Sequence, residues 1–419
     1  MSAEVDVVVV GAGAAGIAAA RRLAAAGISL AVLEAGDRIG GRAWTIPHGG
    51  LPIDLGCGWL HSAERNPCTA LARGLGFTID RTLPPWGRQF KNLGFPAADQ
   101  EAAHSAFAAF EQRLRQAPAG SDRAADWLEE GGPWNPYLEA VSSYINGTDL
   151  KTLSIRDYLA FADADTGVNW RIIEGYGALI AAAASGLPIS LGVPVTAIEA
   201  EQSKLAIVTG SGTIRAGAAI ITVSTDVLAA GVIKLPAALA DRIEAASRLP
   251  LGLADKVSFA IDRPDDLEPD TQVLGNPHEA KTGSYHLRPF GRPLIEGFIC
   301  GAAARELESG EDMVAFAQDE LAGLFGAGIR RRLKPVAQTR WAKSPFIRGS
   351  YSHALPGCTD ARAILAKPWD ERIFFAGEAC STHDFSTAHG AYQTGLDAAE
   401  AVLSGRHSGG ERGRPRREG

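Results

Sequence analysis

The chain has 419 residues, 46% of them hydrophobic and 21% charged, a length that exceeds one typical domain and suits two sharing an interface. Its formal net charge of -7 lacks the basic surplus with which proteins replace counterions on phosphates, so no nucleic-acid partner is expected, and a weakly acidic surface attracts cations instead. No run reaches the roughly 18 to 20 apolar residues of a membrane helix, so no membrane association is expected. The five cysteines, Cys57, Cys68, Cys300, Cys358 and Cys380, contain no CxxC pair, which predicts no metal site and suits a reducing, cytoplasmic setting.

The opening MSAEVDVVVVG has no basic n-region, and its apolar stretch is too short for a signal peptide, so Val5 to Val10 reads as a strand buried on both faces. A tight turn follows at Gly11 to Gly16, an Ala-rich helix at Ala14 to Ala26, and a second strand at Ser29 to Glu34, which together make a βαβ unit. From Thr82 to Asn169 the sequence changes to polar helical segments interrupted by Trp and Pro. Strand-like stretches resume at Ile189 to Ala200, Leu205 to Val208 and Ala218 to Val223. A second departure covers about Asp255 to Pro335, Arg372 to Ala376 reads as a further buried strand, and a last helix runs through Leu403. The Gly- and Arg-rich end, from Ser404, has no apolar periodicity and is expected to be disordered.

The predicted fold class is therefore α/β, a Rossmann-like dinucleotide domain of three discontinuous segments with an inserted α+β substrate domain. The cofactor domain takes residues 1–80, 171–254 and 339–404, the substrate domain 81–170 and 255–338, and the tail 405–419.

Gly11-x-Gly13-x-x-Gly16 is a weak signal alone, but here a strand precedes it, a helix follows it, and Glu34 closes the second strand. Gly11 permits the turn, Gly13 admits a pyrophosphate, and Gly16 lets helix pack on strand. Ala14 and Ala15 open the helix with unpaired N–H groups for phosphate, and Glu34, followed by Ala35, is placed to accept hydrogen bonds from a ribose. Just beyond, Gly40 and Gly41 allow a second loop to approach, and Arg42 offers charge to the pyrophosphate, a pattern that points to FAD rather than NAD.

VVVVGAGAAGIAAARRL, VLEAGDRIGGRAWT, DLGCGWLHSAERNP, LPLGLADKVSFAI, RWAKSPFIRGSYSHALPG and FFAGEACSTHDFSTAHGAYQTG keep an order that resembles the flavin amine oxidase family over nearly the whole chain. DLGxxWxH and STxHGA look more like its polyamine oxidases and histone demethylases than its monoamine oxidases. The resemblance implies FAD, a small-molecule amine substrate, molecular oxygen as electron acceptor, and hydride transfer from the carbon next to the amine nitrogen to flavin N5. It further implies that Gly56, Cys57, Gly58 and Trp59 run along the isoalloxazine, that Val195 meets adenine through its backbone, and that Gly377 and Glu378 lie near the ribityl and phosphate groups. The helix starting near Ala388 would aim its N-terminus at the flavin, where reduction puts negative charge. Thr387 reads equally well as that helix's cap.

By spacing alone Lys256 is a solvated strand lysine, whereas the resemblance makes it the residue that holds a water against N5. His61 is either a structural histidine or an active-site one. Tyr351 matches one wall of the family's aromatic cage. Thr387 stands where monoamine oxidases carry the second tyrosine, and Trp341 is a substitute wall or a core tryptophan. Ser350 stands where those enzymes carry the cysteine bonded to flavin, so the flavin is expected to be noncovalent.

Among the insert's aromatics, Trp86, Phe90, Phe107, Trp134, Tyr144, Tyr158 and Trp170 cannot be ranked from position. A rival amino acid oxidase would need an arginine clamp, for which Arg113, Arg115 and Arg171 are available. A polyene desaturase would need an apolar docking stretch. A low-turnover flavin-binding partner protein is the remaining alternative.

Overall fold

The computed structural model describes residues 4–412 apart from 118, 119 and 311, with side chains described through residue 405. A seven-stranded sheet carries the βαβ unit. Strand Glu4–Val10 lies at its centre, parallel to Leu30–Leu33 on one side and to Gly212–Ile221 on the other. Ile189–Ser190 extends one edge in parallel. On the other side Gly212–Ile221 pairs antiparallel with Leu205–Thr209 through its first half and parallel with Ile373–Phe375 through its end. Val195–Ala200 completes the order.

Both sheet faces are covered, which is why the strands read as continuous Val/Ile runs. Val7, Val9, Val32, Ile220 and Phe374 pack on Ala15, Ala19 and Leu23 of helix Ala14–Ala25 and on Ala399 and Val402 of helix Ala388–Arg412. Val8, Val10, Ile207, Ile221 and Phe375 pack on the opposite side with Leu228, Ala245 and Leu365. The two covering helices meet so closely that a Cβ on Gly395 would stand 2.1 Å from the Ala15 carbonyl oxygen.

Two sequence expectations need correction. The stretch Ile189 to Ala200 is broken into two strands, because Gly192 takes φ +67 and Pro194 has no N–H to give a ladder. The last helix does not stop at Leu403 but runs to Arg412, so residues 405–412 of the expected disordered tail are helical, while 413–419 lie outside the described residues. Extending an existing helix needs no new nucleus, which lets it pass through residues with weak helical preference.

The second sheet has five antiparallel strands in the order Thr271–Leu274, Ser284–Leu287, Leu294–Cys300, Ala254–Ile261 and Leu333–Gln338. Val257, Phe259 and Ile261 point into a core with Tyr285, Leu287, Ile295 and the helices Gly301–Ser309 and Met313–Phe325. Alternation along the strand sends Lys256 the other way. A helical layer built from Ala97–Arg115, Asn135–Asn146 and Ile155–Ala164 packs around Phe95, Phe110, Leu138 and Leu153.

Candidate active site

The glycine turn is shaped by contacts that exclude side chains. Gly11 has φ +105, a conformation that disfavours other residues, and its N–H donates to the Leu33 carbonyl at 2.8 Å. A Cβ on Gly16 would lie 1.9 Å from the Gly11 carbonyl oxygen, so Gly16 is what lets the helix start against the turn. Gly13 is different, for its added Cβ would meet only the Gly40 oxygen, at 3.9 Å, and otherwise project into the cavity. The helix opens without a side-chain cap or an acidic residue in its first turn, leaving its N–H groups to a ligand.

Glu34 is anchored from both sides. Its Oε2 accepts from the Ala12 N–H at 2.7 Å and its Oε1 from the Gly36 N–H at 2.8 Å. Each oxygen keeps a lone pair for a hydroxyl. Across the cavity, Arg42 donates to the Ser350 carbonyl at 2.5 Å and to Glu378 at 2.9 Å. Glu378 is buried and also accepts from Ser352 and from the Ser386 N–H. Burial alone would raise its pKa, but Arg42 and Arg362 outweigh that and hold it below the usual glutamate range.

These residues border one cavity of about 1280 Å³. It begins at Gly11, Gly13, Ala14, Ala15, Glu34 and Ala35, passes Gly40, Gly41, Arg42 and Val195, and continues along Gly56, Cys57, Gly58 and Trp59 to His61, Lys256, Trp341 and Tyr351. Gly377, Glu378, Thr387 and Ala388 form another wall. Gly16 does not line it and acts through packing alone. The cavity then enters the helical layer, where Phe107, Tyr137, Tyr144, Tyr158 and Phe161 surround it. Its volume, the backbone-walled cradle at one end and the anchored carboxylate of Glu34 leave room for a large phosphate-bearing cofactor.

Lys256 donates from Nζ to the Asp54 carbonyl oxygen at 2.8 Å and stands 3.5 Å from where a Gly58 Cβ would be. It is therefore not a freely solvated strand lysine. Asp54 itself is half-buried, desolvation raises its pKa against the pull of Lys256, and its carboxylate accepts the N–H groups of Tyr176 and Gly177 at the start of helix Tyr176–Ala183. His61 is held by Nδ1 against Asn169 Oδ1 at 2.6 Å, and burial lowers its pKa more than this contact raises it. Its ring stacks on Trp86 at 6.0 Å, and Trp86 in turn packs on Trp59 at 4.7 Å.

Tyr351 spends its hydroxyl on the Tyr144 carbonyl at 2.8 Å, which fixes the ring's orientation. Thr387 does cap the final helix, accepting from the Gly390 N–H at 3.0 Å, and lines the cavity as well. Trp341 is buried, pairs edge-on with Trp44 at 6.2 Å, and still borders the cavity. Ser350 uses Oγ twice, accepting from Ala254 N–H and donating to the Ala254 carbonyl.

Of the insert's aromatics, Trp86, Phe107, Tyr144 and Tyr158 reach the cavity. Phe90 is in the core beneath the five-stranded sheet, Trp134 packs on Phe95, Tyr137 and His278, and Trp170 lies under Arg81. None of the candidate clamp arginines lines the cavity. Arg113 donates to the Trp127 carbonyl, Arg115 pairs with Asp163, and Arg171 is buried between Asp80 and Asp270. Sequence reasoning missed Glu111, Asp165 and Glu296, three carboxylates on the cavity wall, and Asn169, the partner of His61. Glu111 accepts from the Tyr158 hydroxyl at 2.5 Å.

Among the described residues no helix is long and apolar enough to cross a membrane, and no group of three or more His, Cys, Asp or Glu is placed to hold a metal ion. The model of flavin containing amine oxidoreductases matches residues 14–97 and 131–403. Polyamine oxidase 4 of Oryza sativa subsp. japonica is 30% identical over 94% of this chain and 88% of its own length. Lysine-specific histone demethylase 1 homolog 2 of Arabidopsis thaliana is 30% identical over 96% of this chain but 58% of its own length. Among solved structures, putrescine oxidase bound to putrescine superposes with a TM-score of 0.78 at 17% identity, covering 96% of this chain and 100% of that one. Cyclohexylamine oxidase from Brevibacterium oxydans gives 0.75 at 22% identity, covering 96% and 99%.

Proposed function

The chain belongs to the flavin containing amine oxidoreductase family, and from that premise we propose that it is an FAD-dependent oxidase of small-molecule amines. The observation that carries this reading is the continuity of the cavity, which joins the glycine turn and Glu34 to Lys256 and then to an aromatic chamber. Bound there, FAD would supply a two-electron acceptor for the hydride from the carbon next to the amine nitrogen; water would hydrolyse the resulting imine to an aldehyde or ketone plus an amine or ammonia, and oxygen would take the two electrons with two protons to leave as hydrogen peroxide.

In this reading the N–H groups at Gly13 to Ala15 and the start of helix Ala388–Arg412 face negative charge, and Glu34 holds the ribose. The Lys256 ammonium, fixed by the Asp54 carbonyl, supplies positive charge beside Gly58. Trp59, Trp86 and Tyr351 give the substrate amine an apolar aromatic approach. An alkylamine with a lysine-like pKa of about 10.4 costs roughly 3 to 5 kcal/mol to present as the free base near neutral pH, and an apolar wall lowers that cost by disfavouring the cation.

The cofactor is noncovalent in this reading. Ser350 is committed to two backbone bonds, and burial pushes the Cys57 thiol far above its ordinary pKa, leaving little thiolate to form a bond. Acid precipitation should release the yellow chromophore to the supernatant; colour retained in the washed pellet would rule this out. We place the enzyme in the cytoplasm, in keeping with its five free cysteines.

The decisive experiment mixes the purified protein anaerobically with mono-, di- and polyamines and follows the flavin's visible absorbance. Bleaching by at least one class supports the assignment. A colourless protein, or a yellow one that no amine bleaches, overturns it.

A further inference from the structure

Behind the cavity wall two acidic side chains meet away from solvent. Asp255 is 0% exposed and Glu308, on helix Gly301–Ser309, is 7% exposed. Asp255 Oδ1 accepts from the Thr339 hydroxyl at 2.7 Å and from the Trp341 N–H at 3.1 Å. Glu308 Oε1 accepts from the Ala342 N–H at 3.0 Å. The Thr339 hydroxyl in turn accepts from the Lys256 N–H at 2.8 Å, and the Thr339 N–H donates to the Lys256 carbonyl at 2.9 Å. One oxygen of each acid is thus satisfied, while Asp255 Oδ2 and Glu308 Oε2 are buried and find no other donor among the described residues. The two carboxyls are neighbours, for they hold the consecutive N–H groups of Trp341 and Ala342, and Glu308 is close enough to act on the protonation of Asp255.

Two ionised carboxylates cannot be partners, since both only accept, and their like charges would repel in a site that water does not reach. A single proton between the two oxygens resolves both vacancies at once. We propose that Asp255 and Glu308 share one proton, and that this acid–carboxylate pair is the positioning device that locks Trp341 and Lys256 into the cavity wall. Neither acid lines the cavity, so both act through the residues they hold. The network ties three elements together: the strand that carries Lys256, the helix that carries Glu308, and the turn Trp341–Lys343.

Burial, and then contact with Glu308, pushes Asp255 up to about 8. The charged or ionisable groups facing it are Glu308 from the helix and the Cys300 thiol from strand Leu294–Cys300, with Lys256 adjacent on its own strand. Segment 339–341 presents a hydroxyl and an N–H. Because the folded value lies above the unfolded one, the folded protein keeps a proton that the unfolded chain has already lost. The contribution to stability is therefore complete below the ordinary carboxylate range and is lost progressively as pH rises toward about 8.

The test uses the flavin-loaded protein, its Glu308→Gln and Asp255→Asn variants, which put an amide donor where the proton was, and Glu308→Ala, which removes the partner. Infrared difference spectra, parent minus Glu308→Gln at neutral pH, should show the carbonyl stretch of a protonated carboxylic acid. The rate of flavin release from the parent should rise on the order of fivefold or more between pH 6 and 9, while the two amide variants stay within about twofold. Glu308→Ala should release flavin quickly at both pH values. Ionisations elsewhere, including His61, are common to all four proteins and cancel in the comparison. The proposal is overturned if the carboxylic-acid band is missing, if Glu308→Gln follows the parent's pH course, or if Glu308→Ala retains flavin as the parent does. None of these readings requires amine turnover, so they stand or fall separately from the assigned reaction.

Discussion

At one end of the cavity the wall is backbone, and at the other it is side chain. Around Gly11, Gly13 and Gly41 the chain comes close to whatever lies in the cleft because it carries nothing beyond Cα, and Glu34 is held by two N–H groups of neighbouring turns. In the helical layer the boundary is made instead by Phe107, Tyr137, Tyr144 and Tyr158, large groups placed by how three helices pack. A backbone wall tolerates few alternatives, because an added Cβ at Gly40 would stand 2.2 Å from the Ala43 carbonyl oxygen and one at Gly56 1.8 Å from that of Arg42. A side-chain wall can be rebuilt by many aromatic and aliphatic combinations of similar volume. The first end is therefore suited to one ligand, and the second to being retuned.

The largest expected effect lies where the two ends meet. Lys256→Met keeps the apolar stem but removes the ammonium beside Gly58, and loss of one such electrostatic group typically costs about 100- to 1000-fold in the affected step. Stopped-flow measurement of amine-driven bleaching and of reoxidation by oxygen separates the two steps. Both rates within about threefold of the parent, near 0.6 kcal/mol, would make Lys256 a structural lysine.

At the backbone end, Glu34→Ala removes two hydrogen bonds to a charged acceptor as well as the ribose partner. Each is worth about 1.5 to 3 kcal/mol, so flavin affinity should fall at least roughly tenfold while the rate per bound flavin changes little. Flavin titration of the apoprotein checks this, and an unchanged affinity would refute it.

At the side-chain end the expected effect is smaller and of the opposite kind. Glu111→Gln removes a charge at the Tyr158 hydroxyl, and since partly exposed ion pairs are worth about 0.2 to 1 kcal/mol, KM for a diamine should rise by a factor of about two to five with flavin affinity untouched. A monoamine without a second ammonium should not register the change. If both substrates suffer equally, Glu111 supports the helices rather than the ligand.

The smallest effect concerns His61. Burial, opposed by Asn169, lowers its pKa, so it stays neutral in the folded protein below the point at which the unfolded chain takes up a proton. Stability should therefore fall as pH drops below the ordinary imidazole value of about 6.5, and His61→Gln should flatten that decline. Thermal melts of both proteins between about pH 5 and 7 decide it, and parallel curves would exclude the assignment.

The same contrast explains what the sequence disclosed. A strand, a glycine turn and a closing acid are local features, so the βαβ unit and Glu34 could be read within one short stretch. Which of seven aromatics in the insert face the cavity depends on the rotation of helices about their axes. Phe90 and Trp134 looked as suitable as Phe107 and Tyr158, yet they pack elsewhere. Glu111 and Asp165 gave no signal because an acid on a polar helix, or just past its end, ordinarily faces water. Asp255, one position before a singled-out lysine, was passed over because its partner Glu308 is remote in sequence and joins it only through the helix that covers the sheet.

Strand Gly212–Ile221 has a consequence for how the molecule is made. It is the parallel neighbour of Glu4–Val10, and its own far end waits for Ile373–Phe375. As the chain leaves the ribosome, the valine-rich first strand can find Leu30–Leu33 early, but its other edge stays open until Gly212–Ile221 emerges, halfway along the chain, and the far end of that strand stays open until Ile373–Phe375 follows. Pairings this distant in sequence form slowly, and an open apolar edge in the interim invites association with other nascent chains. Yield in a heterologous host should therefore depend on translation rate and on chaperones that shield that edge, and slower synthesis alone is not expected to help until the last strand has emerged.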